Sequence, residues 1–365
     1  MLKGYKYRLY PNKEQQIYFA KCFGSVRFIY NQMLAERIEL YNKYKGDKEQ
    51  LKRQKPRTYT SYKHEYEWLK EVDNLALANT QMNLNSSYKN FFKSGFGFPK
   101  FKSKKKSIDS YKTNNQGGNI RIEGNRIKLP KVGWVKIKQH REFDGLIKSC
   151  TISKTKTNKY FISILVEEQN KEVAPVKNKI GIDLGISHFA ITSNDDGISE
   201  KHNNPKWLRK AERKLIKAQK SLSRKKKGSK NREKARLILA KKHEKIANQR
   251  KDFLHKLSYK ITSENQVIVI ETLKSSNMLK NHRLAKSISD VSWYEFTRQL
   301  EYKCNWLGRT LIKANQWFAS SQICSNCKES DGKKALNIRE WKCNNCDTEH
   351  DRDINAAKNL LSLAN

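Results

Sequence analysis

The chain has 365 residues, with 76 Lys and Arg against 36 Asp and Glu, a formal net charge of +40. So basic a field calls for a polyanion, and nucleic acid is the expected partner. An anionic membrane surface is the rival partner, but it would call for an amphipathic anchor or lipidation motif, and none is seen. The longest apolar runs, Ile162–Val166 and Val267–Ile270, are far too short to span, so no membrane role is expected. Aromatic residues at 10% and hydrophobic ones at 37% argue for a folded, soluble intracellular protein. The cysteine count agrees, since four of the seven form pairs and Cys22, Cys150 and Cys304 are scattered, as buried free thiols would be.

Residues 1–11 alternate like a short strand ended by Pro11. Asn12 then caps a helix, with Gln15 completing the box and Ile17, Ala20 and Phe23 facing inward. Gly24 is expected to break that helix, and a second follows with Phe28, Ile29, Met33, Leu34 and Ile38. The pair resembles a DNA-recognition helix-turn-helix, although two helices packed in a bundle is the commoner arrangement. Another amphipathic helix covers 74–93. It stops at Gly95, Gly97 and Pro99, in a basic loop with interleaved aromatics, FFKSGFGFPKFKSKKK.

From 108 to 168 the pattern is of strands, with turns at Glu123-Gly124-Asn125 and Thr157-Asn158. A small antiparallel sheet or barrel is expected there, separated from its first strand by the helical insert. Residues 170–179 form a linker. Two strands follow in KIGIDLGISHFAITSNDDG, then a helical stretch over 206–251 with 20 basic and 3 acidic residues. NQVIVIETL holds a strand apolar enough to be buried on both faces. Beyond it come helices through 293–308, a strand near 310–317, a cysteine-rich region and a last helix.

Two Cys-x-x-Cys pairs, Cys324/Cys327 and Cys343/Cys346, flank a hairpin strand in NIREWK. Four thiolates at this spacing close a tetrahedral structural Zn²⁺ site, and His350 is surplus to it. Three carboxylates stand out for a different reason. Asp183 interrupts the apolar run Ile180–Ile186, Glu271 follows immediately after Val267–Ile270, and Asp353 opens the last helix. A buried salt bridge would account for the first two, and a helix dipole for the third. Brought together from two strands and a helix, however, the three acids can hold two divalent cations for phosphodiester cleavage. Asp351 is a second carboxylate within reach of such a site.

The order of these acids resembles the RNase H-like fold in its RuvC form. The chain as a whole resembles the TnpB (OrfB) family, RNA-guided endonucleases of bacterial insertion sequences related to compact type V CRISPR effectors. The resemblance runs nearly end to end, through YKYRLYPNKEQ, FFKSGFGFPKFK, GIDLGISHFAITS, HEKIANQRKDFLHKLS, NHRLAKSISDVSW, SSQICSNC and DRDINAAKNL. Thr272 departs from it, standing where the family usually has Asp or Asn. So do Lys328 and Asp347, which replace the glycines that commonly follow each cysteine pair.

The resemblance implies an α/β and α+β multidomain chain. A wedge-like β-barrel covers 1–11 and 94–172, with a helical recognition insert at 12–93. A RuvC-like nuclease domain covers 176–317 and 349–365, interrupted by a zinc ribbon at 318–348. Asp183, Glu271 and Asp353 would hold Mg²⁺ in a two-metal site, the Asp-x-Asn-Ala-Ala register favouring Asp353 over Asp351. Cys324, Cys327, Cys343 and Cys346 would hold zinc.

The implied partners are a guide RNA from the transposon end and a double-stranded DNA target beside a short adjacent motif, in the cytoplasm of a bacterium or archaeon, with the protein a monomer. Gln81, Thr113 and Asn114 are candidate readers of that motif. Lys100, Lys102, Arg250 and Lys256 are candidates for phosphate contacts, although each Lys run alone is equally a solvated helix face. The competing functions are a DDE-like transposase needing no RNA and a non-cleaving DNA-binding regulator. The second leaves the three acids without a purpose.

Overall fold

A computed structural model of the protein describes residues 1–169, 173–335 and 337–364. The chain divides into two compact units, Met1–Gln169 and the remainder.

In the first unit β1 (Leu2–Tyr10) leads into α1 (Lys13–Tyr44), α2 (Lys48–Arg53), α3 (Tyr59–Glu65) and α4 (Asn74–Ser94). Six strands complete it: β2 (Asp109–Asn114), β3 (Arg121–Glu123), β4 (Arg126–Leu129), β5 (Gly133–Lys138), β6 (Leu146–Lys154) and β7 (Tyr160–Glu167). They form one antiparallel sheet in the order β2-β6-β7-β1-β5-β4-β3, so β1 pairs with strands more than a hundred residues away. Among the described residues nothing pairs β2 with β3. The sheet is therefore an open half-barrel, between the two forms, antiparallel sheet or barrel, that the sequence left open.

Asn12 caps α1 as anticipated: its Oδ1 accepts from the Gln15 N–H at 2.8 Å, and Gln15 Oε1 accepts from the Asn12 N–H at 3.1 Å. Gly24 does not end the helix, which runs 32 residues without interruption. Glycine in a helix interior costs only about 1 kcal/mol relative to alanine. The buried row Phe19, Cys22, Phe23, Val26, Ile29, Tyr30, Met33 and Leu34 continues in phase across it, and burial of that row outweighs the propensity.

The second unit contains β8 (Lys179–Leu184), β9 (His188–Asn194), β10 (Ser199–Asn203), α5 (Trp207–Ser223), α6 (Lys230–Glu264) and β11 (Val267–Ile270). After these come α7 (Ser275–Met278), α8 (Ala285–Val291), α9 (Trp293–Leu307), β12 (Thr310–Lys313), β13 (Glu340–Lys342), β14 (Glu349–Asp351) and α10 (Arg352–Leu361). Residues 170–172 of the expected linker lie outside the described residues, and 173–178 carry no regular structure.

Five strands form a mixed sheet in the order β10-β9-β8-β11-β12. The first three run antiparallel as a meander, while β11 lies parallel to β8 and β12 parallel to β11. The C-terminal half of α6 packs on this sheet through Leu254, Leu257 and Ile261, together with Phe296 and Leu300 of α9. The basic stretch over 206–251 is helical, in two helices with a break at Arg224–Ser229. Between Lys230 and Arg250 only Ala235 and Ile246 are buried, so this part of the hairpin shows its charge to solvent. Cys22, Cys150 and Cys304 are buried free thiols.

A Cβ built on Gly24 meets nothing within 4 Å. Gly24→Ala should therefore stabilise the protein by about 0.5–1 kcal/mol, read as a rise in the denaturant midpoint at unchanged m-value. A destabilised variant would show that α1 is not continuous through this position.

Candidate metal centres

The carboxylate site starts from the alternation of β8. Ile180, Ile182 and Leu184 point to one face of the strand and are buried. Gly181 and Asp183 share the other face. That face is covered by α10, which lies so close that a Cβ on Gly181 would stand 2.1 Å from the Ala357 carbonyl oxygen and 2.5 Å from the Leu361 nitrogen. Asp353 lies one helical turn before Ala357, and Asp183 two residues beyond Gly181. A turn of helix rises about 6 Å over four residues and two strand residues span about 6.7 Å. The Gly181–Ala357 contact therefore brings Asp353 towards Asp183.

Glu271 arrives from β11. Ile270 is in register with Ile182, so continuing the parallel register sets Glu271 beside Asp183. The Glu271 N–H donates to the Ile182 carbonyl at 3.4 Å, and its Oε1 accepts from the Leu184 N–H at 2.7 Å. All three acids are half-buried.

Burial raises the Asp183 pKa well above the ordinary carboxylate value, and the negative charges of Glu271 and Asp353 raise it further, against the opposing effect of Arg352 and Arg339. Burial also pushes Glu271 up to about 7, despite the Leu184 N–H. Half-buried carboxylates that repel one another are a donor set suited to divalent cations, which would relieve that repulsion.

Asp351 and Asp353 have different tasks. Asp351 is the N-cap of α10, accepting from the N–H groups of Asp353 and Ile354 at 3.0 Å each, and it pairs with Lys201 at 2.5 Å. Asp353 is left to face Asp183, and Arg339 Nη1 lies 3.3 and 3.5 Å from its two carboxylate oxygens. Arg339 was not singled out in the sequence, where NIREWK is a hairpin strand. Its backbone carbonyl accepts from the Arg352 N–H at 2.8 Å, which ties the cysteine-rich hairpin to the start of α10.

The second centre adjoins the first. The four sulfurs of Cys324, Cys327, Cys343 and Cys346 all lie within 4.8 Å of one another, with Cys324–Cys346 at 3.6 Å and Cys327–Cys343 at 3.7 Å. A tetrahedron of Zn–S bonds of about 2.3 Å has edges of ~3.8 Å, so the arrangement fits zinc. Among the described residues this is the only such cluster of three or more metal-ligating side chains; the acids are less tightly gathered.

Lys328 and Asp347, the two departures from glycine, have φ of 66° and 54°. They occupy the left-handed conformation that each knuckle turn demands. Each closes its turn by donating its N–H to the carbonyl of the first cysteine of its pair, at 3.0 Å. His350 stays outside the ligand group; its Nε2 sits 3.0 Å from Cys324 Sγ and its ring packs on Trp341. Buried Asn355 and Asn359 of α10 donate to the Ile323 carbonyl at 2.8 and 2.6 Å, anchoring the first knuckle to the helix that carries Asp353.

The candidate nucleic-acid residues are more varied. Lys100 is exposed. Lys256 is exposed too, and pairs with Asp252 at 2.8 Å. Gln81 Oε1 accepts from the Tyr59 N–H at 2.8 Å, and Lys102 lies 4.0 Å over the Tyr30 ring, where burial lowers its pKa. Thr113 is fully buried with its hydroxyl unpartnered, whereas its neighbour Asn114 is half-buried on the edge strand β2. As folded, Thr113 therefore presents no side chain to a ligand. Arg250 is held by Asp290 at 2.6 Å, and Asp290 also accepts from the Leu208 N–H at 3.0 Å, which makes the arginine a strut between α6, α8 and α5.

Comparison with known proteins gives three family matches: a probable transposase family, OrfB_IS605, over residues 162–282; the Cas12f1-like TNB domain over 293–360; and a helix-turn-helix domain over 1–46. In this chain the last segment is β1 and the unbroken α1. A Streptomyces pristinaespiralis protein named "Putative RNA-guided DNA endonuclease" is 37% identical, over 99% of this chain and 89% of its own length. Escherichia coli InsQ, of the same description, is 32% identical over 99% and 92%. Among solved structures, the "Cas12f1-sgRNA-target DNA complex" matches with a TM-score of 0.60 at 14% identity, covering 99% of this chain and 98% of that one, a shared fold.

Two outcomes follow from the geometry. Purified protein should hold one zinc per chain by elemental analysis, and Cys343→Ser should lose it along with protection of 318–348 from proteolysis; wild-type protein free of zinc would overturn the assignment. A carboxylate raised to about 7 is protonated in the folded chain and ionised in the unfolded chain between about pH 4.5 and 7. The metal-free protein therefore loses stability as pH rises through 7. Mg²⁺ should raise the melting temperature more at pH 8 than at pH 6, and Glu271→Gln should shrink that difference, leaving the part that Asp183 contributes.

Proposed function

The chain belongs to the TnpB (OrfB) family, and from that premise we propose that it is a transposon-encoded, RNA-guided DNA endonuclease that cuts double-stranded DNA complementary to its guide. The observation that carries this reading is the convergence of Asp183, Glu271 and Asp353 at the carboxyl ends of the interior strands β8 and β11. A meander of three strands with two further strands parallel to its first is the order of an RNase H-like sheet, which supports a RuvC-type site. The half-barrel and its helical insert correspond to the wedge-like and recognition parts, and the four-cysteine hairpin to the zinc ribbon.

The three acids would hold Mg²⁺, which when bound supplies activation of a water and stabilisation of the leaving oxygen in phosphodiester hydrolysis. This chain's residues set the stage for that chemistry. The Leu184 N–H orients Glu271, and the Thr272 hydroxyl donates to the Ala314 carbonyl at 2.6 Å, fixing the chain just after the strand end. Arg339 matches the charge of Asp353 in the metal-free protein. Its guanidinium is 57% exposed and would be available to a target phosphate if Asp353 were engaged by a cation instead.

Guide and target are long polyanions, and the α5–α6 hairpin supplies exposed Lys and Arg in keeping with the +40 charge. Such contacts carry affinity without sequence information, which base pairing to the guide provides. A regulator that did not cut would leave the acid trio unused.

The test is Mg²⁺-dependent cleavage of a duplex matching RNA that co-purifies with the protein. Asp183→Ala should reduce cutting by at least a thousandfold while RNA-guided DNA binding persists. Arg339→Ala should lower the single-turnover rate about 10–100-fold with binding little changed. Undiminished cutting by Asp183→Ala would place the chemistry elsewhere. Nucleic-acid affinity should also fall steeply and linearly in log–log form with salt; a flat response would count against phosphate-led binding.

A further inference from the structure

The end of α4 and the loop after it hold aromatic side chains out in water. Phe92 is 75% exposed, Phe96 64% and Phe101 58%. Single exposed apolar residues are ordinary, but a contiguous group marks a contact surface. Here the rings do form a group. Tyr88 and Phe92 are stacked at 6.3 Å, and Phe98 stands edge-on to Tyr88 at 5.7 Å and to Phe91 at 5.3 Å. Among the described residues Phe96 and Phe101 meet no other ring.

The loop that carries them is tied down. Gly95 ends α4 in the left-handed conformation, with φ of 64°, and Pro99 is buried. Asn31 of α1 grips Lys102 in both directions: its Oδ1 accepts from the Lys102 N–H at 2.8 Å, and its Nδ2 donates to the Lys102 carbonyl at 2.9 Å. The rings are thus presented from a fixed backbone, which leaves little ordering to be done on binding.

Charge decides the class of partner. Between Tyr88 and Lys106 the chain has seven lysines and no acid, and every lysine but Lys102 is exposed. Unstacked bases on a phosphate backbone combine flat apolar faces with negative charge, and so match both properties. Duplex DNA and a guide–target heteroduplex keep their bases stacked inside, and would meet only the lysines.

Resting on the endonuclease reading, we propose that this aromatic shelf takes the DNA strand that the guide leaves unpaired. Its bases stack on Phe96 and Phe101, and its phosphates lie on the neighbouring lysines. Pairing of the guide with one strand frees the other along the matched length, and a held strand is slower to close the duplex again. The shelf acts on the lifetime of the opened target, and not on the cut itself.

Protein purified with its RNA tests this against two targets, the guide-matched duplex and the bare complementary strand, which displaces nothing. The double variant Phe96→Ala, Phe101→Ala should weaken duplex binding about 10–100-fold, mainly through faster release, and should bind the bare strand as the wild type does. Phe96→Trp should keep the wild-type affinity for the duplex. Undiminished duplex binding by the double variant would overturn the shelf, as would equal losses on both targets. A double variant that purifies with less RNA would give the rings to the guide and overturn the proposal. Wild-type binding to phosphatidylserine vesicles that the double variant loses would overturn it too, in favour of a membrane. A wild type that fails to bind the guide-matched duplex would instead overturn the endonuclease reading beneath it.

Discussion

The close approach of α10 to β8 is the contact on which the second unit turns. It exists because residue 181 has no side chain: any Cβ there would meet the backbone of α10 at Ala357 and Leu361. With the helix flat on the strand, the near-equal rise of one helical turn and two strand residues carries Asp353 to Asp183. Buried Ala356, Ala357 and Leu360 complete the packing. The same helix turns Asn355 and Asn359 towards the first cysteine knuckle, so one ten-residue element joins the sheet, the acids and the zinc ribbon.

Electrostatics divides the molecule's labour. A surplus of 40 positive charges is spread over a chain whose most perturbed carboxylates are gathered at the carboxyl ends of two interior strands. Polyanions are drawn to the basic surface, while the acids repel each other and anything anionic until cations neutralise them. Arg339 and Arg352 temper that repulsion without removing it, since the Asp183 carboxyl remains raised. The cysteine hairpin thus contributes charge to the carboxylate site as well as shape.

Much of this was legible from residue patterns. Apolar runs broken by an acid marked Asp183 and Glu271, and the cysteine spacing marked the ribbon, because each defies an ordinary energetic preference. The register of DRDINAAKNL favoured Asp353 over Asp351, and the structure adds a physical reason, since Asp351 is engaged as a helix cap and as the partner of Lys201. Gly24 misled because local propensity is weak against an in-phase buried stripe. Arg250 looked available for phosphate because its buried partner, Asp290, lies forty residues away in sequence. Arg339 carries no one-dimensional signature; it is defined by Asp353, which lies across from it.

The wide separation of the acids along the chain has a consequence for synthesis. Asp183 and Glu271 sit on strands made well before α10, and Asp353 follows Asp183 by about 170 residues. A nascent chain therefore has its basic helices while one corner of its acid trio is still untranslated. On a ribosome the basic surface is made before the acid site can close, a delay that the position of a single helix imposes on the molecule.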